Sequence, residues 1–428
     1  MTTLDRTQAP PIFQIDSINI LLPEKKLLSN GIPVYLVIDE SSELVYFQLI
    51  VQGGNCAGTH VAQAQLHSRM LLEGSKQYTA EQINELIDYH GANIGYSSYT
   101  TYSQLSVSAL AGHLPALIPM LHDSLAHATF PSDRFELQKK RFQQSFITAL
   151  EKNSYVAARA FKKAVFGDNH PYGRLTELQD IEQTTENDLH DYHQRQIHAG
   201  NMMVVAAGAQ EAFIMEQLER LLGSLPVKSP FSHHPTSDTP APKACHLEGP
   251  QHLQSSIYAG RVLPSPQHPD YHKLVVTDTL LGGYFGSRLM QNLREDKGYT
   301  YGVHSYIQEF PDLSLHTIAT EVGAQHTRDA LREIRHELLR LSEAPPAIEE
   351  VHTVQLHLIS QFINSFSNMF RRVDTFARLL KQGSPFDSLT QYLQRIRAVL
   401  PGEVQQTAAS YFLPDMLHWI SVGPDEQA

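Results

Sequence analysis

The amino-acid sequence repeats itself at an offset of about 210 residues, and this repeat limits the folds that are available to the chain. The offset is 207 residues in the first matching pair and 215 in the last. The matching segments are residues 86–99 with 293–306, 71–74 with 280–283, and 188–208 with 403–423. Similar offsets over such distances predict two copies of one unit of roughly 200 residues, and not a solenoid of short repeats.

Each copy mixes helical and strand-like periodicity, which predicts an α+β fold with an antiparallel sheet and helices packed on one face. We place the first domain at residues 12–225 and the second at 251–424. Residues 226–250 are rich in proline and break the periodic pattern, so they are predicted to form a linker. His233 and His234 lie inside it, and such adjacent side chains on an extended chain are more typical of a solvated pair than of a metal site.

Residues 61–74 read VAQAQLHSRMLLEG and predict a buried amphipathic helix that ends at Gly74. Ala62, Leu66 and Met70 form its apolar side. The polar side carries Gln65, Ser68 and Arg69, because residues at i, i+3 and i+4 share one face of a helix.

This pattern resembles the H-x-x-E-H helix of the inverzincins, the family of pitrilysin, insulin-degrading enzyme and mitochondrial processing peptidase. Gln65 and Arg69 stand where the resemblance places two zinc-binding histidines, and Ser68 stands where it places the catalytic glutamate. An amide and a protonated guanidinium are not competent zinc ligands, so we predict that this chain binds no metal.

The third zinc ligand implied by the resemblance is a glutamate near residues 140–150. Residues 138–150 contain no Asp, Glu, His or Cys, so that ligand is also missing. His67 remains, but it points away from the face of Gln65 and Arg69, and we expect it to be packed or solvated. An active metallopeptidase would need His60, His67 and His90 to converge with a carboxylate, and their spacing indicates no such face.

A second motif lies in the C-terminal half, where Arg294, Gly298 and Tyr301 match an R-x(3)-G-x-x-Y pattern of the bacterial and processing-peptidase members. The resemblance implies that the arginine and tyrosine reach a substrate bound at the zinc of a facing N-terminal domain. Such donors can stabilise the oxyanion of peptide hydrolysis. The repeat carries Ile87 and Ile94 at the equivalent first-half positions. The alternative is structural: Arg294 pairs with a nearby carboxylate, and Tyr301 packs at a strand edge.

The resemblance implies two domains that face each other like a clamshell, and a family that includes heteromeric enzymes. It predicts a non-catalytic subunit that lends Arg294 and Tyr301 to the active site of a zinc-bearing paralogue, acting on peptides or unfolded polypeptides in a dimer. Zinc is expected in that partner only. The alternative is a proteolytically inactive binding or scaffold protein of the same fold, including a homodimer.

Composition narrows the remaining function classes. A net charge of −12 disfavours nucleic acid and anionic membranes as partners, since both require a basic surface. The N-terminal residues lack a basic start followed by an apolar stretch, so no signal peptide is visible. Cys56 and Cys245 are too few for a disulfide framework and are expected to be free thiols. We therefore expect a cytoplasmic protein, or a periplasmic one if a leader has been trimmed from the start.

Overall fold

The structure is a computed structural model that describes residues 19–232 and 239–424. The predicted domain start at residue 12 and the His233 and His234 pair lie outside the described residues. Two sheets organise the described chain, one in each half, as the repeat predicted.

The first sheet has six strands in the order β1-β2-β6-β3-β5-β4. All of its neighbouring strands run antiparallel except β2 and β6, which are parallel. The prediction of an antiparallel sheet therefore holds for every pair but this one. The strands are β1 (Glu24–Leu27), β2 (Pro33–Ile38), β3 (Leu44–Gln52), β4 (Asn93–Ser98), β5 (Tyr102–Leu110) and β6 (Met202–Gly208).

The second sheet has five strands in the order β7-β11-β8-β10-β9, and only β7 and β11 run parallel. Residues 244–248 were placed in the linker 226–250, but they form β7 beside β11, so the second unit extends into the predicted linker. The strands are β7 (Ala244–Glu248), β8 (Gln254–Leu263), β9 (Thr300–Glu309), β10 (Ser314–Gly323) and β11 (His418–Gly423).

Helices cover both sheets. In the first half they are α1 (Val61–Met70), α2 (Ala80–Tyr89), α3 (Leu114–Ala126), α4 (Ser132–Leu150), α5 (Asn153–Phe166), α6 (Leu178–Gln183), α7 (Glu186–Gln196) and α8 (Glu211–Leu222). In the second half they are α9 (Tyr271–Asp278), α10 (Thr327–Glu343), α11 (Ile348–Asn364), α12 (Met369–Gln382), α13 (Ser388–Arg397) and α14 (Pro401–Tyr411).

The two halves exchange one helix each. Helix α12 of the second half packs on β3 and β6, and helix α5 of the first half packs on β8 and β11. Strand β6 shows why both faces of a sheet must be covered: Val204 and Ala206 enter the core of the first half, whereas Val205 and Ala207 enter the core that includes α12. Since each buried aliphatic side chain contributes about 1.5–3 kcal/mol, these contacts hold the halves together firmly.

The internal repeat is confirmed in three dimensions. Residues 86–99 and 293–306 each run from a helical turn into an edge strand, β4 in the first sheet and β9 in the second. The glycine between turn and strand has φ +58° at Gly91 and +64° at Gly298, a left-handed conformation that glycine adopts without strain.

Cys56 and Cys245 are free thiols, as expected. In the part of the chain that the structure describes, no helix is long and apolar enough to cross a bilayer.

Candidate functional site

Helix α1 carries the three polar positions where the family motif has its zinc ligands and catalytic glutamate. Its apolar side packs Ala62, Leu66 and Met70 into a cluster rich in phenylalanine, as predicted. Instead of continuing to Gly74, the helix ends at Met70. The packed stripe fixes the direction in which the polar side points.

The side chains of Gln65, Ser68 and Arg69 each make a contact with another part of the protein. The Gln65 Oε1 atom accepts a hydrogen bond from the Thr176 hydroxyl at 2.7 Å. The Ser68 hydroxyl donates to the backbone carbonyl oxygen of Gln65 at 2.8 Å, a bond within its own helix. The Arg69 guanidinium lies over the Phe142 ring, 4.6 Å from its centroid.

These side chains do not fit zinc. The family's third ligand is expected near residues 140–150, and in this structure the Phe142 ring from that stretch lies against Arg69. A ring, an amide, a hydroxyl and a cation offer no competent set of ligands for a divalent ion. Within residues 19–232 and 239–424, no three His, Cys, Asp or Glu side chains are grouped closely enough to hold a metal.

His67 lies on the opposite side of α1 and is fully buried. Its Nε2 atom is 3.0 Å from Nδ1 of His193 on α7, and the Tyr192 ring packs beside it with centroids 4.9 Å apart. Burial holds the pKa of His67 well below its usual value and lowers the pKa of His193 to about 4, so both rings are neutral near pH 7. Of the two possibilities for His67, packed or solvated, the structure has the packed one.

The second group of predicted residues, Arg294 and Tyr301, lies at the edge of the second sheet. Arg294 belongs to a π-helical turn, Met290–Asp296, whose Met290 and Leu293 are buried in the main core. Its guanidinium lies 5.0 Å from the centroid of the Phe285 ring, and its Nε atom is 3.5 Å from Glu295 Oε1. Arg294 therefore does pair with a nearby carboxylate, as the structural alternative predicted, although its side chain stays 39% exposed.

Tyr301 lies near the start of β9 and is 92% exposed, so it does not pack at the strand edge. The register of β9 against β10 is irregular here: Thr300 pairs with Val322 and Val303 pairs with Thr320, which leaves two residues of β9 opposite one of β10. This is the geometry of a β-bulge, a feature that redirects side chains and is common beside active sites.

Two buried threonines hold the bulge in place. The Thr300 hydroxyl is 2.6 Å from the carbonyl oxygen of Glu321 and 3.0 Å from the backbone nitrogen of Gly302. The Thr320 hydroxyl donates to the carbonyl oxygen of Gly302 at 2.9 Å. Sequence reasoning missed these threonines and Phe285. Phe285 lies nine residues before Arg294 in the sequence, and its contact with the guanidinium depends on the fold of the turn.

The structure therefore brings the predicted residues together as two separate groups. Gln65, Ser68 and Arg69 share α1, and Arg294 and Tyr301 flank the turn at Gly298. Among the described residues, no hydrogen bond, ion pair or ring contact joins the first group to Arg294 or Tyr301. Two exposed donors are thus placed at the free edge of the second sheet.

Comparison with known proteins is consistent with this geometry. The family description "Insulinase (Peptidase family M16)" matches residues 34–176, and "Peptidase M16 inactive domain" matches residues 183–358. The described fold is similar to the crystal structure of a peptidase M16 inactive domain from Pseudomonas fluorescens, with a TM-score of 0.87 and 20% identity over 94% of this chain and 98% of that one. A protease from Helicobacter pylori has a TM-score of 0.85 at 16% identity, covering 94% of this chain and 100% of that chain.

Sequence relatives are distant. This chain is 22% identical over 274 residues to an uncharacterized zinc protease, YmxG, of Bacillus subtilis, covering 64% of this chain and 66% of that protein. It is 24% identical over 293 residues to the non-peptidase homolog YmxG of Helicobacter pylori, covering 66% of each. The alignments thus span just under two thirds of the length of both relatives.

The predicted resemblance and the two-unit α+β fold are confirmed, and the relatives include a protein named as a non-peptidase homolog. Two family descriptions with different ranges together cover most of the chain. The chain belongs to the M16 peptidase family.

Proposed function

We propose that this chain is the non-catalytic subunit of a heteromeric zinc peptidase and that it lends Arg294 and Tyr301 to the active site of a zinc-bearing paralogue. The observation that carries the proposal is the 92% exposure of Tyr301 on a bulge beside the half-exposed Arg294. A phenol this exposed on a β-bulge contributes little to packing within the described residues, so it is available to a second molecule.

The chemistry required of this chain is hydrogen-bond donation. A peptide bond under attack develops negative charge on its oxygen, and a guanidinium or phenol donor stabilises that charge strongly once water is excluded. Neither donor is enclosed in the isolated chain, so a second polypeptide would have to cover them. The hydrolytic step itself would come from the metal site of that partner.

The edge strands support a substrate of extended conformation. Among the strands that the structure describes, β9 pairs with β10 alone, so its outer backbone groups can hydrogen bond to an added strand. An extended peptide would pass Tyr301 and Arg294 in this position. The substrates would therefore be peptides or unfolded segments, because such chains adopt the extended conformation that an added strand requires.

A second candidate is a binding or scaffold protein without any role in proteolysis. The contact between Arg294 and Glu295 favours it, because an internal ion pair competes with substrate for the guanidinium. In that case the exposed donors would bind a partner and not a reacting peptide.

Activity of a reconstituted complex separates these two functions. The chain is purified together with a zinc-bearing M16 paralogue, and peptide cleavage is measured for wild type, Arg294→Ala and Tyr301→Phe. We expect each variant to lower kcat by a factor of about 10² to 10³ without loss of complex formation. The matched control is Arg332→Ala, since Arg332 is also an exposed arginine with an acidic neighbour, Asp329. Equal cleavage by all four complexes would exclude a role of Arg294 and Tyr301 in proteolysis and would favour the scaffold function.

A further inference from the structure

A cavity of about 630 Å³ lies within the second half of the chain, between helices α9, α11, α12 and α13. Its lining residues do not include Arg294, Tyr301 or any residue of helix α1. Its volume is within the range of protein sites for small molecules. The apolar part of its wall includes the side chains of Tyr271, Val275, Phe362, Leu379 and Tyr392.

The internal repeat supplies a comparison for this cavity. In the first half, α1, α4 and α6 occupy the same places in the chain order as α9, α11 and α13, and they contact one another in the same way. The space between these first-half helices is occupied by a packed cluster that includes Leu66, Phe142, Phe146 and Ile181. The fold can therefore fill this space with its own side chains, whereas the second half leaves it open and forfeits those packing contacts.

The inner charges of the wall are paired with each other. The Glu309 carboxylate accepts hydrogen bonds from the Tyr271 hydroxyl at 2.9 Å, from Arg378 at 3.0 Å and from the Gln382 amide. Burial, together with the positive charges of Lys273 and Arg395, lowers the pKa of His272, so this ring adds no charge near pH 7. This part of the wall thus has one carboxylate and one guanidinium, and they bind each other.

The outer charges of the wall are solvated and also balanced. Asp387 and Arg395 are exposed residues at the two ends of α13, about 12 Å apart along the helix axis. The Arg395 guanidinium donates to Gln391 Oε1 at 2.6 Å. A wall with equal numbers of positive and negative groups favours a neutral ligand, because an ion would lose its hydration without an unpaired counter-charge.

The Tyr392 side chain offers both a flat ring and an unused hydroxyl group. Its ring stacks on Phe362, with centroids 4.6 Å apart and an angle of 20° between planes. Within residues 19–232 and 239–424 its hydroxyl has no hydrogen-bond partner, and this oxygen is not sealed off from solvent. Burial raises the pKa of Tyr392 to about 12, so the hydroxyl keeps its proton at neutral pH and can donate to a bound molecule.

We propose that this cavity binds a small neutral aromatic molecule with one hydroxyl group, such as an alkylphenol. The ligand ring packs among Tyr271, Phe362 and Tyr392, and the ligand hydroxyl accepts a hydrogen bond from the Tyr392 hydroxyl. Leu379 of the wall belongs to α12, which also packs on β3 and β6 of the first sheet. Binding therefore also stabilises, by mass action, the position of a helix that joins the two halves.

Calorimetric titration of the whole chain with p-cresol, without a second subunit, tests this site. Toluene lacks the hydroxyl of p-cresol, methylcyclohexanol lacks its aromatic ring, and p-toluate has a charged carboxylate in place of the hydroxyl. We expect toluene and methylcyclohexanol to bind about two- to tenfold more weakly than p-cresol, because each loses either the hydrogen bond or the ring contacts. We expect p-toluate to bind at least about tenfold more weakly, because the wall offers no unpaired counter-charge.

Two variants locate the binding. Tyr392→Phe removes the hydroxyl and keeps the ring, so p-cresol and toluene should then bind within about twofold of each other. Val275→Phe places a ring inside the cavity and should weaken p-cresol binding at least about tenfold. The matched control is Tyr155→Phe, a half-buried tyrosine of the first half that packs on Phe146, and it should bind both molecules as wild type does. Thermal unfolding of each variant establishes that it is folded.

Absence of p-cresol binding would overturn the proposal, and so would tighter binding of p-toluate than of p-cresol. An affinity for p-cresol that is unchanged in Val275→Phe, or a preference for p-cresol over toluene that survives in Tyr392→Phe, would also overturn it. None of these results bears on the heteromeric peptidase, because the titrations contain no second subunit.

Discussion

The guanidinium of Arg294 lies 5.0 Å from the centroid of the Phe285 ring, and that ring is itself 62% exposed. The ring contacts the guanidinium by a cation–π interaction and helps to position it, together with Glu295 Oε1, which lies 3.5 Å from the Nε atom of Arg294.

Replacing Phe285 should therefore weaken catalysis without weakening the fold. We expect Phe285→Ala to lower kcat/KM of a reconstituted peptidase about two- to fivefold, because an exposed cation–π contact contributes about 0.5–1 kcal/mol. Steady-state kinetics with a fluorogenic peptide measures this. Tyr89→Ala removes a different exposed aromatic side chain, 82% exposed in the first half, and should have no effect. Identical kinetics for both variants would mean that Phe285 does not position Arg294.

The threonines of the bulge should control stability around Tyr301. Thr320→Val removes the hydroxyl that donates to Gly302 and leaves a nearly isosteric side chain, so the free energy of unfolding should fall by about 1–2 kcal/mol. Urea denaturation measures the change. Thr353→Val is the comparison, because Thr353 lies exposed on α11 and its hydroxyl donates to the backbone carbonyl oxygen of Glu349 in the same helix. If the two variants were equally stable, the hydroxyl network would not be holding the bulge.

The buried pair of His67 and His193 predicts a loss of stability in acid. Burial depresses both pKa values, so the unfolded chain binds more protons and the folded state loses stability as pH falls. The stabilisation is complete above pH 6.5 and is lost as pH falls toward about 4, with a contribution of about 3 kcal/mol from His193.

Urea denaturation at pH 7 and pH 4.5 checks this dependence. His193→Gln should show a smaller difference between the two pH values than wild type, whereas His352→Gln, an exposed histidine on α11, should match wild type. A pH dependence that survives in His193→Gln would have to come from other groups.

Restoring the zinc motif should require a change at Phe142 as well. The triple variant Gln65→His, Ser68→Glu and Arg69→His supplies two ligands, and the Phe142 ring still lies beside position 69. We expect it to bind zinc weakly, and we expect the further change Phe142→Glu to tighten binding at least about tenfold by adding a carboxylate ligand.

Competition with a zinc-sensitive dye measures the affinities. The wild type and the single variant Phe142→Glu give the background. Tight stoichiometric binding by the triple variant would show that position 142 is not the obstacle.

Much of this architecture could be predicted from local patterns. The helical spacing of Ala62, Leu66 and Met70 predicted α1, and the internal repeat predicted two copies of one α+β unit, which the structure has as one sheet in each half. The missing zinc ligands could also be identified from residue type alone, because an amide and a guanidinium keep their chemistry in any fold.

Local patterns are enough to predict α1, the internal repeat and the unsuitability of α1 for zinc, because these depend on neighbouring residues or on intrinsic side-chain chemistry, but they did not reveal β7 inside the predicted linker. Long-range packing determines that α5 and α12 cross to the opposite sheets, that His67 lies beside His193, and that Tyr301 stands on a bulge. A sequence pattern shows that a face is apolar and must be buried. It does not show which segment covers that face, because the covering segment lies hundreds of positions away and is selected by packing.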